Sequence, residues 1–287
     1  MTAADRSHSK KPSTEAAGTH EGFHFEREAP SARRSLSVII PAYNEAERIS
    51  STLTSTASFL QKEDYDWEVI VVDDGSHDNT SELVETIASQ LGLNEFIKVI
   101  RLPQNRGKGA AVKQGVLASA KQYCLICDAD LAVPIKDVER LWPSIDACAD
   151  ALVIGSRSLP GSQTLVQLKW YRKFIGRVFN ALLARLAPNI YDTQCGFKLL
   201  PTPQAKQLAV RQMEEGFAFD VEYLHLALRS DWMICEVSVN WVHMEGSKVR
   251  IFRDSARMFS SVMRIWFRSK IGAYGSFPLQ SVNLSLP

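Results

Sequence analysis

The sequence predicts an α/β protein with a mainly parallel sheet and helices on both of its faces. Three observations lead there. Short apolar runs rich in Val and Ile recur, segments of helical spacing alternate with them, and polar clusters close the runs at one end.

Leu36–Ile40 reads as the first buried strand, and Glu45–Leu60 as a helix, because Ile49, Leu53 and Leu60 repeat on one face. Trp67–Val72 is the second strand, and the helix after it starts near Thr80 with Asn79 or Thr80 as its cap. Phe96–Arg101, Tyr123–Cys127 and Ala151–Ile154 supply three more strands, with helices over Gly107–Lys121 and Ile135–Ile145 between them. The second half is less regular. Val166–Leu186 is a long basic amphipathic helix, Cys195–Leu200 a strand, and Pro203–Met213 and Phe217–Leu228 helices. Met233–Trp241 is a strand and Asp254–Ser269 a second basic amphipathic helix. No Gly/Pro/Ser linker divides the halves, so residues 35–275 are expected to form one domain around one core. Residues 1–34 hold almost no aliphatic side chains and are expected to be a disordered tail, with a short C-terminal tail over 276–287.

Composition narrows the function classes. The 287 residues are 45% hydrophobic and 23% charged, as in a globular protein with a real core. Lys and Arg number 33 against 32 Asp and Glu, so net charge gives no support to a nucleic-acid partner. No apolar run approaches the roughly 20 residues that cross a bilayer. The N-terminal stretch lacks the apolar segment of a signal peptide, and its acids argue against a transit peptide. Five cysteines make no disulfide framework; Cys124 and Cys127, inside the apolar run Tyr123–Cys127, read as core thiols of a reducing compartment. The expected location is cytoplasmic, with peripheral attachment to a membrane.

The chemistry is expected at the carboxyl ends of the strands, where parallel α/β sheets bind ligands. Four polar clusters fall there: Pro41-Ala-Tyr-Asn-Glu45, Asp73-Asp-Gly-Ser76 with Asp78, Asn105-Arg-Gly-Lys-Gly109, and Asp128-Ala-Asp130. Any one of them is also what a turn or helix cap uses. Together they are harder to explain that way. Asp128 and Asp130 flank Ala129 on an extended backbone, and carboxylates so close suit a cation shared with phosphate oxygens, Mg²⁺ or Mn²⁺. Asn105–Gly109 offers the cations Arg106 and Lys108 and a helix N-terminus, both attractive to phosphate, although the spacing is not that of a Walker loop.

Val38-Ile-Ile-Pro-Ala-Tyr-Asn-Glu45, Val71-Val-Asp-Asp-Gly-Ser76, Asn105-Arg-Gly-Lys-Gly-Ala-Ala-Val112 and Asp128-Ala-Asp130 resemble the family 2 inverting glycosyltransferases of GT-A fold. The resemblance runs from about Leu36 to Gly275. Gly155-Ser-Arg157, Asp192-Thr-Gln-Cys-Gly-Phe-Lys198, Phe219-Asp-Val-Glu222 and Glu245-Gly-Ser-Lys248 look most like the dolichyl-phosphate β-glucosyltransferases, with dolichyl-phosphate mannose synthases as near relatives. The resemblance implies that Pro41, Ala42, Tyr43 and Glu45 line a nucleotide pocket, with Asp74 facing the base and Asp73 supporting the loop. It implies that Asp128 and Asp130 hold the metal, Asp130 the more directly. It also implies that Arg157 and Arg172 grip an acceptor phosphate, and that Lys108 and Lys248 face the donor diphosphate. The donor is expected to be a nucleotide sugar, UDP-glucose favoured, and the acceptor a polyprenyl or dolichyl phosphate.

Two missing features point the same way. There is no QxxRW segment, and the sole Glu-Asp pair, Glu63-Asp64, lies in an early loop. A sugar hydroxyl needs a general base as it attacks, whereas a phosphate monoester is already anionic and needs orientation and charge screening. Asp220 or Glu222 could still serve as a base; a structural or orienting role is favoured, because Phe219, Val221 and Leu224 make that segment a packed helix. The basic stretches 164–190 and 248–275, interleaved with aromatics, suit an anionic membrane surface or else pack on the sheet with solvated charges. His77 reads as a turn residue, and His243 as a strand residue or a ligand contact. Two other functions stay open: transfer to a saccharide or protein hydroxyl, and a non-catalytic nucleotide-sugar-binding protein that kept the fold.

Overall fold

The computed structural model describes residues 33–159, 183, 185–242 and 251–277. Its strands are β1 (Ser35–Ala42), β2 (Asp66–Asp73), β3 (Ile97–Arg101), β4 (Tyr123–Ile126), β5 (Leu152–Ser156), β6 (Lys198–Pro201) and β7 (Ile234–Ser238). They form one sheet in the order β3-β2-β1-β4-β6-β5-β7. β6 is antiparallel to both of its neighbours, and the other pairings are parallel. The expectation of a mainly parallel sheet is met.

The strands read as continuous apolar runs because both sheet faces are covered. Leu36, Val38 and Ile40 of β1 pack with Leu125 on one side, under α1 (Ile49–Lys62), α2 (Thr80–Gln90) and α4 (Val138–Ala147). Ile39 and Ile126 face the other side, under α3 (Lys108–Ala118), α5 (Thr202–Arg211) and α6 (Phe219–Arg229). Each fully buried Ile or Leu contributes about 1.5–3 kcal/mol, so the alternation fixes the register on both faces at once. α7 (Ile251–Lys270) lays Val262 and Ile265 against Val221 of α6 and against Leu183 and Leu186.

Boundaries differ from expectation where tertiary contacts intervene. The first helix begins at Ile49 rather than Glu45, because Asn44 is left-handed at φ 54° and Glu45 Oε2 accepts Arg48 Nε at 2.8 Å. The strand expected from Cys195 begins at Lys198, since Phe197 turns its carbonyl to the N–H of Gly155. Arg34, assigned to the tail, is docked: it forks onto Asp146 at 3.0 and 2.9 Å and lies over the Trp142 ring. Most of the expected 166–186 helix lies outside the described residues. All five cysteines are free thiols, and Cys124, Cys127 and Cys195 are buried, as core residues would be.

Candidate active site

Topology decides what meets at the candidate site. β1, β2 and β4 run parallel, so their carboxyl ends share one edge of the sheet. β6 enters from that same edge, because its first residue, Lys198, pairs with both Ile126 and Ile154. The segment leading into β6, residues 192–197, is therefore delivered between the ends of β4 and β5. β7 leaves at this edge as well, Ser238 pairing with Ser156, and Val242 donates to the carbonyl of Ala132.

The loops after β1 and β2 are laced together. The N–H of Asn44 donates to Ser76 Oγ and the N–H of His77 to Asn44 Oδ1, both at 2.8 Å. The N–H of Glu45 reaches Thr80 Oγ1 at 2.8 Å, and the Tyr43 ring meets His77 edge-on at 6.3 Å. Pro41 and Ala42 are buried at the end of β1, opposite Val72 and Asp73. Asp73 accepts the N–H of Ser76 at 2.8 Å and the hydroxyl of Ser81, so it closes its own turn and holds α2. Asp74 is buried, and its two oxygens accept the N–H groups of Arg106 (2.9 Å) and Gly107 (2.7 Å). Burial outweighs those bonds and raises its carboxyl above the usual range. Both Asp74 oxygens thus hold the 105–107 turn, a duty that stands beside the base contact the resemblance implies. A cleft of about 320 Å³ opens between this loop and residues 101–105.

At the 105–109 motif the N–H groups of Arg106 and Gly107 go to Asp74, and that of Ala110 is shared between the carbonyls of Gly107 and Glu215 at 2.9 and 3.0 Å. The glycines serve close packing. A Cβ on Gly107, at φ 117°, would fall 2.5 Å from Glu215 O, and one on Gly109 would fall 2.7 Å from Glu214 O. The Arg106 guanidinium pairs with Glu215. Lys108 is what the motif turns toward the site.

Lys108 Nζ lies 2.5 Å from Asp128 Oδ1 and 5.7 Å from the Phe219 ring centroid. Burial opposes the charge on each partner, and their mutual attraction prevails; Asp128 is held below the usual carboxylate range and Lys108 above the usual amine range. Asp220, a second acid near Lys108, is buried against Lys198 Nζ at 2.5 Å. Lys198 also donates to the carbonyl of Cys195 and is itself fully buried. Two cations and two acids thus alternate beneath the end of β4. Gly196 completes the packing, because a Cβ there would fall 2.2 Å from Asp128 Oδ2. Asp130 turns back on its own loop, accepting the N–H of Ala132 at 3.0 Å, and Ala129 between the two acids is buried in the core.

Arg157 is forked onto Asp192: Nε meets Oδ2 at 2.7 Å and NH2 meets Oδ1 at 2.8 Å, while its backbone N–H also reaches Oδ2. Burial works against the Asp192 charge, but the guanidinium holds its carboxyl low. Glu236 fixes the same loop by accepting the N–H groups of Tyr191 and Asp192. Glu222 is buried and takes the N–H groups of Met213 and Glu214 and the hydroxyl of Tyr274. Arg172, His243 and Lys248 lie outside the described residues.

A divalent cation fits the chemistry of this edge. Asp128 and Asp130 are half-buried oxygen donors flanking one residue, and a cation, Lys108, already sits on Asp128. Among the described residues no group of three or more metal-ligating side chains gathers, so a closed protein cage is not what they build. Sequence reasoning gave Asp192, Gly196 and Lys198 no role, although their run had been noted as a motif. The signal was a glycine and a lysine set in the apolar run Cys195–Leu200, just after the acid Asp192.

The sequence profile of Glycosyl transferase family 2 matches residues 37–200. A dolichyl-phosphate β-glucosyltransferase of Dictyostelium discoideum is 40% identical, over 83% of this chain and 76% of that protein. The one of Saccharomyces cerevisiae is 37% identical, over 83% and 76% respectively. Among solved structures, glucosyl-3-phosphoglycerate synthase from Mycobacterium tuberculosis with Mn²⁺, UDP-glucose and phosphoglyceric acid superposes with a TM-score of 0.61 at 20% identity. That match covers 83% of this chain and 80% of the other, and it speaks to the fold.

Proposed function

The chain belongs to glycosyltransferase family 2, and from that premise we propose that it moves glucose from UDP-glucose to dolichyl phosphate or a related polyprenyl phosphate, with inversion. The names of its relatives supply the substrate class, and the Mn²⁺ and UDP-glucose bound by its structural neighbour support the donor and the metal.

One observation carries the choice of acceptor. The acids around the Asp128 edge are already engaged as anions or acceptors: Asp128 by Lys108, Asp192 by Arg157, Asp220 by Lys198, and Glu222 by two amides and a hydroxyl. Asp128 and Asp192, held low by Lys108 and Arg157, are poor proton acceptors, and Asp220 and Glu222 are spent on Lys198 and on main-chain amides, so this set favours an acceptor that arrives ionised. A phosphate monoester does so.

In this reading Tyr43, Glu45 and the Asp73–Ser76 turn receive the nucleoside, and Pro41 and Ala42 form its floor. Asp128 and Asp130 would hold Mg²⁺ or Mn²⁺, which supplies positive charge to the diphosphate. Lys108 adds a cation beside it, with Lys248 a further candidate from a late loop. Arg157 and Arg172 orient the acceptor phosphate. Its oxygen forms the new bond to the anomeric carbon on the face opposite UDP, and UDP departs with the electrons of the bond it breaks. No proton has to move. The lipid acceptor places the protein at a membrane surface, in keeping with Phe259 and Phe267, which α7 leaves 46% and 58% exposed.

The test is incubation of the purified chain with Mn²⁺ and labelled UDP-glucose, offering prenyl phosphate, free prenol or soluble saccharides. Label should enter the lipid phase with prenyl phosphate alone. Transfer to a hydroxyl acceptor in its place would overturn the reading.

A further inference from the structure

Glu214 is 3% exposed, and its carboxylate is held by two side chains of α7. Arg264 NH2 lies 3.0 Å from Oε2 and Arg268 NH1 lies 2.7 Å from Oε1, one helical turn apart. The N–H of Glu214 goes to Glu222, so the short segment Gln212–Glu215 is fixed from beneath.

The other side of that segment bears on the start of α3. Gln212 Nε2 bridges the carbonyls of Gly109 and Glu214, both at 2.7 Å, and the carbonyl of Glu215 accepts the N–H of Ala110. Gly107 and Gly109 have no room for a methyl group there. At those two glycines main chain bears directly on main chain, a contact that transmits displacement rather than absorbing it, and a cavity of about 90 Å³ opens only beside it, between Ala110, Lys113 and Met213–Glu215. Lys108 stands between those two glycines and pairs with Asp128.

The outer face of α7 is apolar where a packed helix would be polar. Phe259, Met263, Phe267 and, just past the helix, Ile271 follow at four-residue steps and are 46%, 36%, 58% and 62% exposed. Exposed Arg257 and Lys270 accompany the stripe, and no acid follows Asp254. An apolar stripe flanked by basic residues alone is complementary to an anionic lipid surface.

We propose that Glu214 is a positioning residue: clasped by Arg264 and Arg268, it couples lipid contact at α7 to the placement of Lys108 beside the donor. The inference rests on the lipid-phosphate reading. The coupling is reciprocal, so lipid tightens nucleotide binding and nucleotide tightens lipid binding by the same factor.

The experiment titrates UDP with Mn²⁺ into the full chain, with and without phosphatidylserine/phosphatidylcholine vesicles, in wild type, Glu214→Gln and Arg268→Gln. Vesicle co-sedimentation and circular dichroism are measured in parallel. Wild type should co-sediment and bind UDP about 5-fold or more tightly on vesicles, the lower range of known couplings. In folded Glu214→Gln and Arg268→Gln that ratio should fall to about 1 while both still co-sediment, an effect a merely structural role would not produce. Wild type that co-sediments without tighter UDP binding, or variants that keep the ratio, overturn the coupling alone. Wild type that does not co-sediment overturns the membrane reading and the coupling with it. Should Glu214→Gln not fold, Arg268→Gln, on the partly exposed side of the clasp, decides the matter.

Discussion

Lys108 Nζ and Asp128 Oδ1 sit 2.5 Å apart at the end of β4, so a lysine occupies one of the two carboxylates best suited to a divalent ion. In Lys108→Met that competitor is gone. Mn²⁺ should then bind more tightly without nucleotide, while kcat falls about 10²-fold as the departing diphosphate loses a cation. Paramagnetic resonance titration of Mn²⁺ beside steady-state kinetics separates the two effects. Unchanged Mn²⁺ affinity would show that the ion does not meet Lys108 at Asp128.

Asp130→Ala removes the second donor and one hydrogen bond to the Ala132 amide. Transfer should be lost with little change in unfolding midpoint, since the side chain is half-buried and its bond is worth about 1 kcal/mol. Full activity in this variant would refute the metal assignment.

Gly196→Ala tests the packing of the 192–198 segment on Asp128. The new methyl would stand 2.2 Å from Asp128 Oδ2, so either the carboxylate or the backbone has to move. Overpacking of this kind costs about 1–3 kcal/mol. Turnover should drop more than stability, read by urea unfolding beside the transfer assay; wild-type kinetics would mean the contact is slack.

The parallel strands, their covering helices and the acids at their ends were legible because each is local: a Val/Ile run, a helical repeat, a polar cluster. What brings Gly196 to Asp128 and Asp192 to Arg157 is not local. It depends on β6 entering antiparallel between β4 and β5, a long-range pairing that Lys198-Leu-Leu-Pro201 does not announce. The same holds for the glycines at 107 and 109. In sequence they mark a glycine-rich entry to a helix, and the contact that requires them lies a hundred residues away at Glu214 and Glu215.

Asp192→Asn should expose the worth of the Arg157 fork. Asp192 is buried and the Arg157 side chain is about one-third exposed, at 34%. Losing one partner should cost about 2–3 kcal/mol at pH 7, below the range for a fully buried pair. The folded carboxyl lies below its ordinary value of 3.8. Its contribution is therefore complete above that value and fades as pH falls through the folded pKa. Urea unfolding at pH 7 and near pH 3 should show the gap between wild type and variant narrowing in acid. A constant gap would assign the loss to something other than the charge.

His225 gives α7 a pH dependence of opposite origin. It is buried beneath the last turn of the helix, Nε2 2.7 Å from Ser269 Oγ and Nδ1 3.2 Å from the carbonyl of Leu186. Burial lowers its pKa beneath the ordinary 6.5, and Arg229 adds to that, while the Leu186 carbonyl works the other way. The neutral ring is thus favoured by folding. Its contribution is complete above 6.5 and is lost progressively as pH falls from there through the folded pKa. Wild type should lose stability over that interval relative to His225→Gln, which cannot titrate. Hydrogen exchange should speed up first around 265–277, where Ser269 and Tyr274 lie beside the ring. Equal slopes in the two proteins, or exchange that rises evenly across the sheet, would show that the ring does not hold the end of α7.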